Sequence, residues 1–425
     1  MLIQFNFQNY KSFRDNTSLD LSATKITEHS NRVVNIGNDK LLRIAAIYGA
    51  NASGKSNIYE AFKFMIFYVE NSLHFGGTER FRKETPYNPG TKPFMFDETS
   101  KSEPSIFEVF FIDKTDENHK SYQYGFALKD GIVLEEWLYS KAKTMSEYKT
   151  IFYRNTETNE LNLGKMRKSG KEMIKSALEK ETLIVSLGAK LKIQKLKMVY
   201  EWFGDNEIIN FSDDREGFKF RLNLLPEGFV DDKNVQDKVV KFFHSFDESI
   251  IGFDVKKVKS GKDKEAENYI VYAKHKMIDS NKTISIPLRE ESKGTLEMFS
   301  LFPFLNDVLK KGSVLFIDEL NAKLHPLLVR NIILTFANPE INTNNAQLIF
   351  TTHTSWILSN NLLRRDEIWF AEKDSNGIST LYSLADFVDE DGTKIRKDEN
   401  YEKNYLLGKY GAIPSLKTIN FLEEE

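Results

Sequence analysis

The sequence predicts an α/β fold built from both ends of the chain, with an antiparallel β subdomain and a mostly helical insertion between the two halves. Three observations predict it. From Thr283 onward, short apolar runs alternate with amphipathic stretches, the pattern of strands separated by helices. Near residue 48, another apolar run ends in a Gly-rich turn and a helical stretch follows. Between them lie three strand-like runs in close succession, which read as an antiparallel meander. The expected division is 1–160 for the first half, 161–280 for the insertion and 281–425 for the second half.

Taken in order, residues 1–8 alternate as a strand, and 18–22 are its expected hairpin partner. Arg43–Tyr48 (RIAAIY) is the strand before the Gly-rich turn, and a helix is expected from Lys55 to about Leu73. Residues 76–103, rich in Gly, Pro, Thr and charge, read as loop. The meander is IFEVFFID (106–113), SYQYGFAL (121–128) and IVLEEWLYS (132–140). Periodic apolar positions over 165–210 suggest helices, whereas 211–270 has no clear pattern. Strand TISIPL then leads into a helix from Ser292 to about Lys310, a strand at 313–318, a helix at 324–337, and strands at 347–352 and 367–372.

The 425 residues suffice for two or three domains of roughly 100–200 residues. Hydrophobic residues at 40% and 33 phenylalanines allow a large core. The net charge of −3 gives no whole-molecule attraction to nucleic acid, so any such contact must be a local patch. With no cysteine, disulfides and thiolate metal sites are excluded, which suits a reducing cytoplasm. The N-terminal MLIQFNFQNYKSF lacks a basic-then-apolar signal layout, and no apolar run reaches the roughly 18 residues of a membrane span. A cytoplasmic location is therefore expected, with no membrane partner.

Gly49-Ala-Asn51-Ala52-Ser53-Gly54-Lys55-Ser56 fits G-x-x-x-x-G-K-[ST] in its proper setting, between an apolar strand and a helix. Glycines let the backbone wrap around phosphates, Lys55 brings positive charge to the β- and γ-phosphates, and the Ser56 hydroxyl is the expected Mg²⁺ ligand. Asn57 follows at the start of the helix, whose N-terminus favours anions. ATP and Mg²⁺ are the expected ligands. Val314-Leu-Phe-Ile-Asp318-Glu319 reads as a buried strand ending in two acids: Asp318 would hold Mg²⁺, and Glu319 would orient or deprotonate the attacking water.

Further features surround the second acid. Glu291-Ser292-Lys293-Gly294-Thr295 opens a helix, with Ser292 as N-cap and Gly294 permitting close approach of a phosphate. Alone it could be a simple cap; its place about 25 residues before the paired acids makes it similar to the signature motif of ABC-type ATPases, which contacts the nucleotide held by the other subunit. Leu320-Asn321-Ala322-Lys323-Leu324-His325-Pro326 resembles a D-loop, with Asn321 where Asp is usual. Thr351-Thr352-His353 places an imidazole where a switch histidine senses the γ-phosphate. Asn9-Tyr10-Lys11-Ser12-Phe13 resembles an N-terminal segment of SMC-like ATPases that approaches nucleotide, although strand packing explains Tyr10 and Phe13 equally well. No Q-loop glutamine is evident; Pro93-Phe94-Met95-Phe96 is the nearest candidate region, without a Gln.

Together these motifs resemble those of a P-loop ABC/SMC-like ATPase head, which is expected to work as a homodimer with ATP sandwiched between subunits. Over nearly its whole length the chain resembles the RloA-like, abortive-infection (AbiL-type) ATP-binding proteins, relatives of OLD-family ATPase halves and SMC-like repair ATPases. The residues that carry this resemblance also include P-F-x-F-D-E at 93–98, E-E-W-L-Y at 135–139, Arg364-Arg-Asp-Glu-Ile-Trp-Phe370 and Tyr405-Leu-Leu-Gly-Lys-Tyr-Gly-Ala-Ile-Pro414. The resemblance implies an ATPase subunit in phage defence, beside a separately encoded nuclease or toxin.

The alternative is an ATPase of DNA repair or end processing that acts on nucleic acid directly. Its candidate surface is Lys165–Lys197, with ten Lys/Arg against three Glu, although such a face can also be merely solvated. A self-contained nuclease fits poorly, since only about 55 residues follow the last predicted strand, less than a further domain. Asp389, Glu390 and Asp391 read as a solvated loop rather than a metal site.

Overall fold

Ile44–Tyr48, Val314–Asp318 and Gln347–Thr351 are buried at every position, as strands covered on both faces must be. In the computed structural model they form the centre of a six-stranded sheet. The structure describes residues 1–76, 90–114, 116, 119–212, 215–258, 268–278, 280–388, 392 and 394–414. Across the sheet the order is Glu207–Asn210, Val314–Asp318, Gln347–Thr351, Ile44–Tyr48 and Ile368–Lys373, all parallel, with Ser379–Ser383 antiparallel at the edge.

Successive side chains of these strands enter different cores, the expected consequence of the two-residue period. Ala45, Ile47, Val314, Phe316 and Ile349 join one hydrophobic cluster. Ile44, Ala46, Leu315, Ile317, Leu348 and Phe350 join the other. The helix Lys55–Asn71 covers the first face, where Tyr59 and Phe62 bring their rings to 5.4 and 5.9 Å from Phe316. Helices Lys293–Lys311 and Pro326–Ala337 cover the second face with Met298, Leu301, Ile332 and Ile333.

The meander belongs to a seven-stranded antiparallel sheet. Its order is Glu160–Asn162, Lys149–Asn155, Ile132–Lys141, Ser121–Lys129, Ser105–Ile112, Leu2–Gln8 and Thr17–Asp20. The strands Lys149–Asn155 and Glu160–Asn162 extend it beyond the three-strand expectation. Gln347 ties the two sheets together: it accepts from Leu2 N at 2.6 Å and donates to the carbonyls of Leu2 and Leu42 at 2.9 and 3.0 Å.

Residues 161–280 are more mixed than a mostly helical insertion. Helices Lys168–Ala177, Ile184–Lys190 and Gln194–Gly204 share the first core with the antiparallel sheet. The buried Glu136 accepts from the N–H groups of Ile184 and Val185 at 2.6 and 3.1 Å, so a strand carboxyl caps the second of these helices. Glu207–Asn210, only four residues long, then returns to the parallel sheet as its edge. The unreadable stretch 211–270 supplies helices Arg215–Asn223 and Lys233–Phe243 and a hairpin of Ile250–Val258 with Asn268–Lys276. Thr283–Pro287 completes this three-stranded sheet, and Phe229, Phe243, Phe253 and Phe299 fill the core beneath it. Within the expected loop 76–103, Glu98–Ser102 forms a short helix, and 77–89 lie outside the described residues, as do Asp389, Glu390 and Asp391.

Just before the strand Ile368–Lys373, Arg364 is fully buried and pairs with Asp366 through two hydrogen bonds of 2.9 and 2.8 Å. The helix Tyr401–Leu406 lays Tyr405 on Phe370, with ring centroids 5.5 Å apart. No helix among the described residues is long and apolar enough to cross a membrane.

Candidate functional site

Parallel pairing brings the C-terminal ends of neighbouring strands to one edge. Ile47 is opposite Thr351, Ile317 is opposite Phe350, and Phe370 is opposite Tyr48. The Gly-rich loop, the paired acids and the histidine follow directly from those ends, so residues some 300 apart in sequence meet by topology, as ligand sites do in open α/β sheets.

The loop's glycines are required by space as well as by conformation. A Cβ on Gly49 would stand 2.3 Å from the Ala371 carbonyl oxygen, and one on Gly54, at φ +111°, would stand 2.6 Å from Ser379 Oγ and 3.0 Å from the Phe13 ring. Lys55, almost fully buried, donates to the carbonyls of Gly49 and Ala50 at 2.8 and 2.9 Å. Burial pulls its ammonium below the ordinary lysine value, while Glu319 and Asp318 act against that shift.

Asp318 is the hub. Its Oδ1 accepts from Thr351 Oγ1 at 2.6 Å and from Ser56 Oγ at 3.2 Å. Burial raises its carboxyl above the usual range, and these two hydroxyl donors oppose the shift. Thr351 Oγ1 in turn accepts from Glu319 N at 2.8 Å, and Glu319 has a left-handed backbone, φ +58°. The Glu319 carboxylate is 2.9 Å from His353 Nδ1. Asn321 accepts from Thr352 Oγ1 at 2.6 Å, which roots the expected D-loop in the segment, just after the strand Gln347–Thr351, that carries the histidine.

A cavity of about 290 Å³ lies over the loop, lined by Asn51 through Asn57 together with Glu319 and Lys373. Ser292 and Gly294 do not line it. Ser292 caps its own helix, accepting from Thr295 N at 3.1 Å, and is exposed. Gly294 has only Ser292 Oγ near an added Cβ, at 3.8 Å, so neither φ nor packing within the chain requires glycine there. Behind it, Glu297 on the same helix pairs with Lys323 at 3.3 Å, linking this helix to the segment after the paired acids.

The N-terminal segment touches the loop from the other side. Ser12 Oγ accepts from Asn57 Nδ2 at 2.7 Å and from Ser379 Oγ at 2.8 Å. Tyr10 is buried against Phe64 and Phe107, while Lys11 pairs with Glu60. Burial lowers the Lys11 ammonium to about 8, with Lys92 lowering it further and Asp318 raising it. Asn9 holds the 93–104 segment, accepting from Phe94 N and donating to the Ser100 carbonyl.

Sequence reasoning missed Thr351, Ser379 and Lys373. Thr351 was visible only as part of T-T-H. Ser379 and Lys373 arrive through the pairing of two strands, Glu372↔Thr380 and Lys373↔Ser379, which no local motif announces.

A protein-family model described as "AAA domain, putative AbiEii toxin, Type IV TA system" matches residues 44–359. The chain belongs to this family. The match spans the Gly-rich loop, the paired acids and the histidine, and ATP binding by a P-loop follows from it. Among solved structures, this AAA-family chain is similar to an SMC head bound to the C-winged helix domain of ScpA, at 13% identity and a TM-score of 0.40, covering 90% of this chain and 97% of that one. It is also similar to the SMC head domain from Thermotoga maritima, at 13% identity and a TM-score of 0.39, covering 90% and 98%. No curated protein matches the chain.

Proposed function

We propose that this chain is a Mg²⁺-dependent, ABC-type ATPase that closes as a nucleotide-sandwich homodimer, and that its closure controls a separately encoded effector in defence against phage. The observation that carries the ATPase reading is the convergence of Lys55, Ser56, Asp318, Glu319 and His353 at one sheet edge. Ser56 and Asp318 offer hard oxygen donors of the kind Mg²⁺ takes, and would hold it. When bound, the metal neutralises phosphate charge. Lys55 binds the phosphates, Glu319 takes the proton of the attacking water, and His353, bonded to Glu319, orients that carboxylate. The placement of Ser292 and Gly294 outside the cavity supports a site completed by a second copy.

The defence role rests on the family, whose description joins a toxin and a toxin–antitoxin system, and on the sequence resemblance. The direct nucleic-acid reading is favoured by one observation: Lys168, Lys175, Lys190, Lys195 and Lys197 on the helices of 168–204, and Lys192 in the turn between two of them, are all exposed. The deciding experiment is phage challenge of cells carrying this gene with its neighbour, each gene alone, or the pair with Lys55→Ala. Protection that needs both genes and an intact Lys55 supports gating of an effector. Full protection by this chain alone, equal in Lys55→Ala, overturns it.

A further inference from the structure

On the second face of the parallel sheet, away from the P-loop cavity, lies a groove of about 640 Å³. Its walls are the helices Lys293–Lys311 and Pro326–Ala337 and the end of Lys233–Phe243. The floor is aliphatic, aromatic and thioether: Met298, Phe302, Leu305 and Ile332 are prominent. Ile341 on the rim is 56% exposed, and the neighbouring Leu327 is 67% exposed. The charged residues among the lining are Lys241 and Lys310, both exposed; no carboxylate is among them.

We propose that this groove is the docking site for an amphipathic helix of a partner protein, with an apolar face flanked by Asp or Glu. The argument rests on charge complementarity and shape. A trough between helices accepts a further helix through apolar anchors at i, i+3, i+4 and i+7, and mixed Met, Phe and Leu walls adjust to such anchors. Two rim lysines without a lining carboxylate favour an acidic flank and disfavour a basic one.

The site also stands at a mechanical junction. Met298, Leu305 and Ile332 belong to the core under the parallel sheet, whereas Phe302 belongs to the core of the three-stranded sheet, and Phe242 packs against both. The helix Lys293–Lys311 begins at Ser292 and Gly294, and its Glu297 holds Lys323 beyond the paired acids. An occupant therefore braces the helix that carries the proposed cross-dimer contact. This consequence rests on the proposed ATPase function; docking itself does not.

The test uses the full chain and a labelled amphipathic peptide of about 20 residues, with Leu on one face and Glu on the flanks, against the same peptide with Lys for every Glu. The Glu peptide should bind roughly tenfold or more tightly than the Lys peptide, and the Lys241→Glu/Lys310→Glu protein should reverse that preference. Saturating Glu peptide should change ATP turnover at least about twofold. Binding of neither peptide, or of both equally and unaltered by the charge reversal, overturns the proposal. So does a change of oligomeric state on charge reversal without peptide, which marks a second copy as the occupant, or decanoate binding where the peptides fail, which marks a small amphiphile. Unchanged turnover with bound peptide overturns the bracing role alone. Because peptide anisotropy requires no hydrolysis, loss of the ATPase reading leaves the binding result standing.

Discussion

His353 Nδ1 lies 2.9 Å from Glu319 Oε2, joining the residue after one strand to the second residue after its neighbour. Glu319 is held from behind as well, since its N–H donates to Thr351 Oγ1, the hydroxyl that also bonds Asp318. The acid, the metal-ligand candidate and the histidine are thus one hydrogen-bonded unit. Substitutions within such a unit should not act independently. Glu319→Gln should keep ATP binding and lower turnover on the order of 10²-fold or more. Adding His353→Ala to it should cost much less than His353→Ala costs alone. Nucleotide-binding and steady-state assays on the four proteins check this; multiplicative losses argue against a shared role.

Lys55→Ala removes the buried ammonium beside Gly49 and Ala50. ATP binding should weaken strongly and turnover should fall on the order of 10²-fold or more, as for other preorganised charge contacts. The circular dichroism spectrum should stay native, because the adjoining strand Ile44–Tyr48 is held by its own buried side chains. Wild-type turnover in this variant would remove the loop from the mechanism.

The strands Ile44–Tyr48, Val314–Asp318 and Gln347–Thr351 were legible because burial on both faces gives each a continuous apolar run, and each ends in a recognisable motif. Glu207–Asn210 was not legible: four residues carry too little pattern, and the strand is identified only by its pairing with Val314–Asp318. The hairpin of Ile250–Val258 was hidden by Lys256 and Lys257 at its exposed end. In the site, Lys55, Asp318 and His353 could be named from local spacing. Thr351, Ser379 and Lys373 could not: Thr351 is placed by register with the distant strand Ile44–Tyr48, and the adjacent strands that carry Lys373 and Ser379 reach the loop only because Ile368–Lys373 pairs with that same strand.

Burial pushes the Glu367 carboxyl up to about 7, against the Arg364 N–H that donates to it. Its value in the unfolded chain is the ordinary 4.5. The folded value is the higher, so this group's contribution to stability is complete below about 4.5 and is lost as pH rises through about 7, by roughly 3 kcal/mol at most. Glu136 and Glu207, also pushed up to about 7 by burial, add to the same trend. Glu367→Gln, which keeps an acceptor for Arg364 N, should flatten the fall of melting temperature between about pH 5 and pH 8. An unchanged slope contradicts the assignment.

If the exposed lysines of 168–204 meet nucleic acid, affinity should fall steeply with salt, with a slope of roughly 0.7–0.9 per phosphate neutralised. Lys190→Glu, Lys192→Glu and Lys195→Glu together should weaken binding and reduce that slope by about 2 or more. Electrophoretic-mobility titrations at several salt concentrations, on single- and double-stranded probes, measure both. Salt-independent binding, or none, leaves the surface as a solvated helix face.

Gly294 offers the sharpest test of the dimer. Its backbone needs no glycine, and an added Cβ would meet only Ser292 Oγ at 3.8 Å, so Gly294→Asp should fold normally. If Gly294 faces the partner's nucleotide, however, the new carboxylate lies against phosphate and should abolish turnover in the homodimer while leaving ATP binding to the isolated P-loop intact. Each active site then draws its P-loop from one subunit and its signature from the other. A heterodimer of Lys55→Ala with Gly294→Asp has both defects in one site and neither in the second. Random mixing of two inactive proteins in equal amounts should therefore recover roughly a quarter of wild-type turnover. Recovery at that level requires a composite site. A Gly294→Asp protein with full activity, or a stable mixture with none, refutes the sandwich, because in neither case does the signature of one copy complete the P-loop of the other.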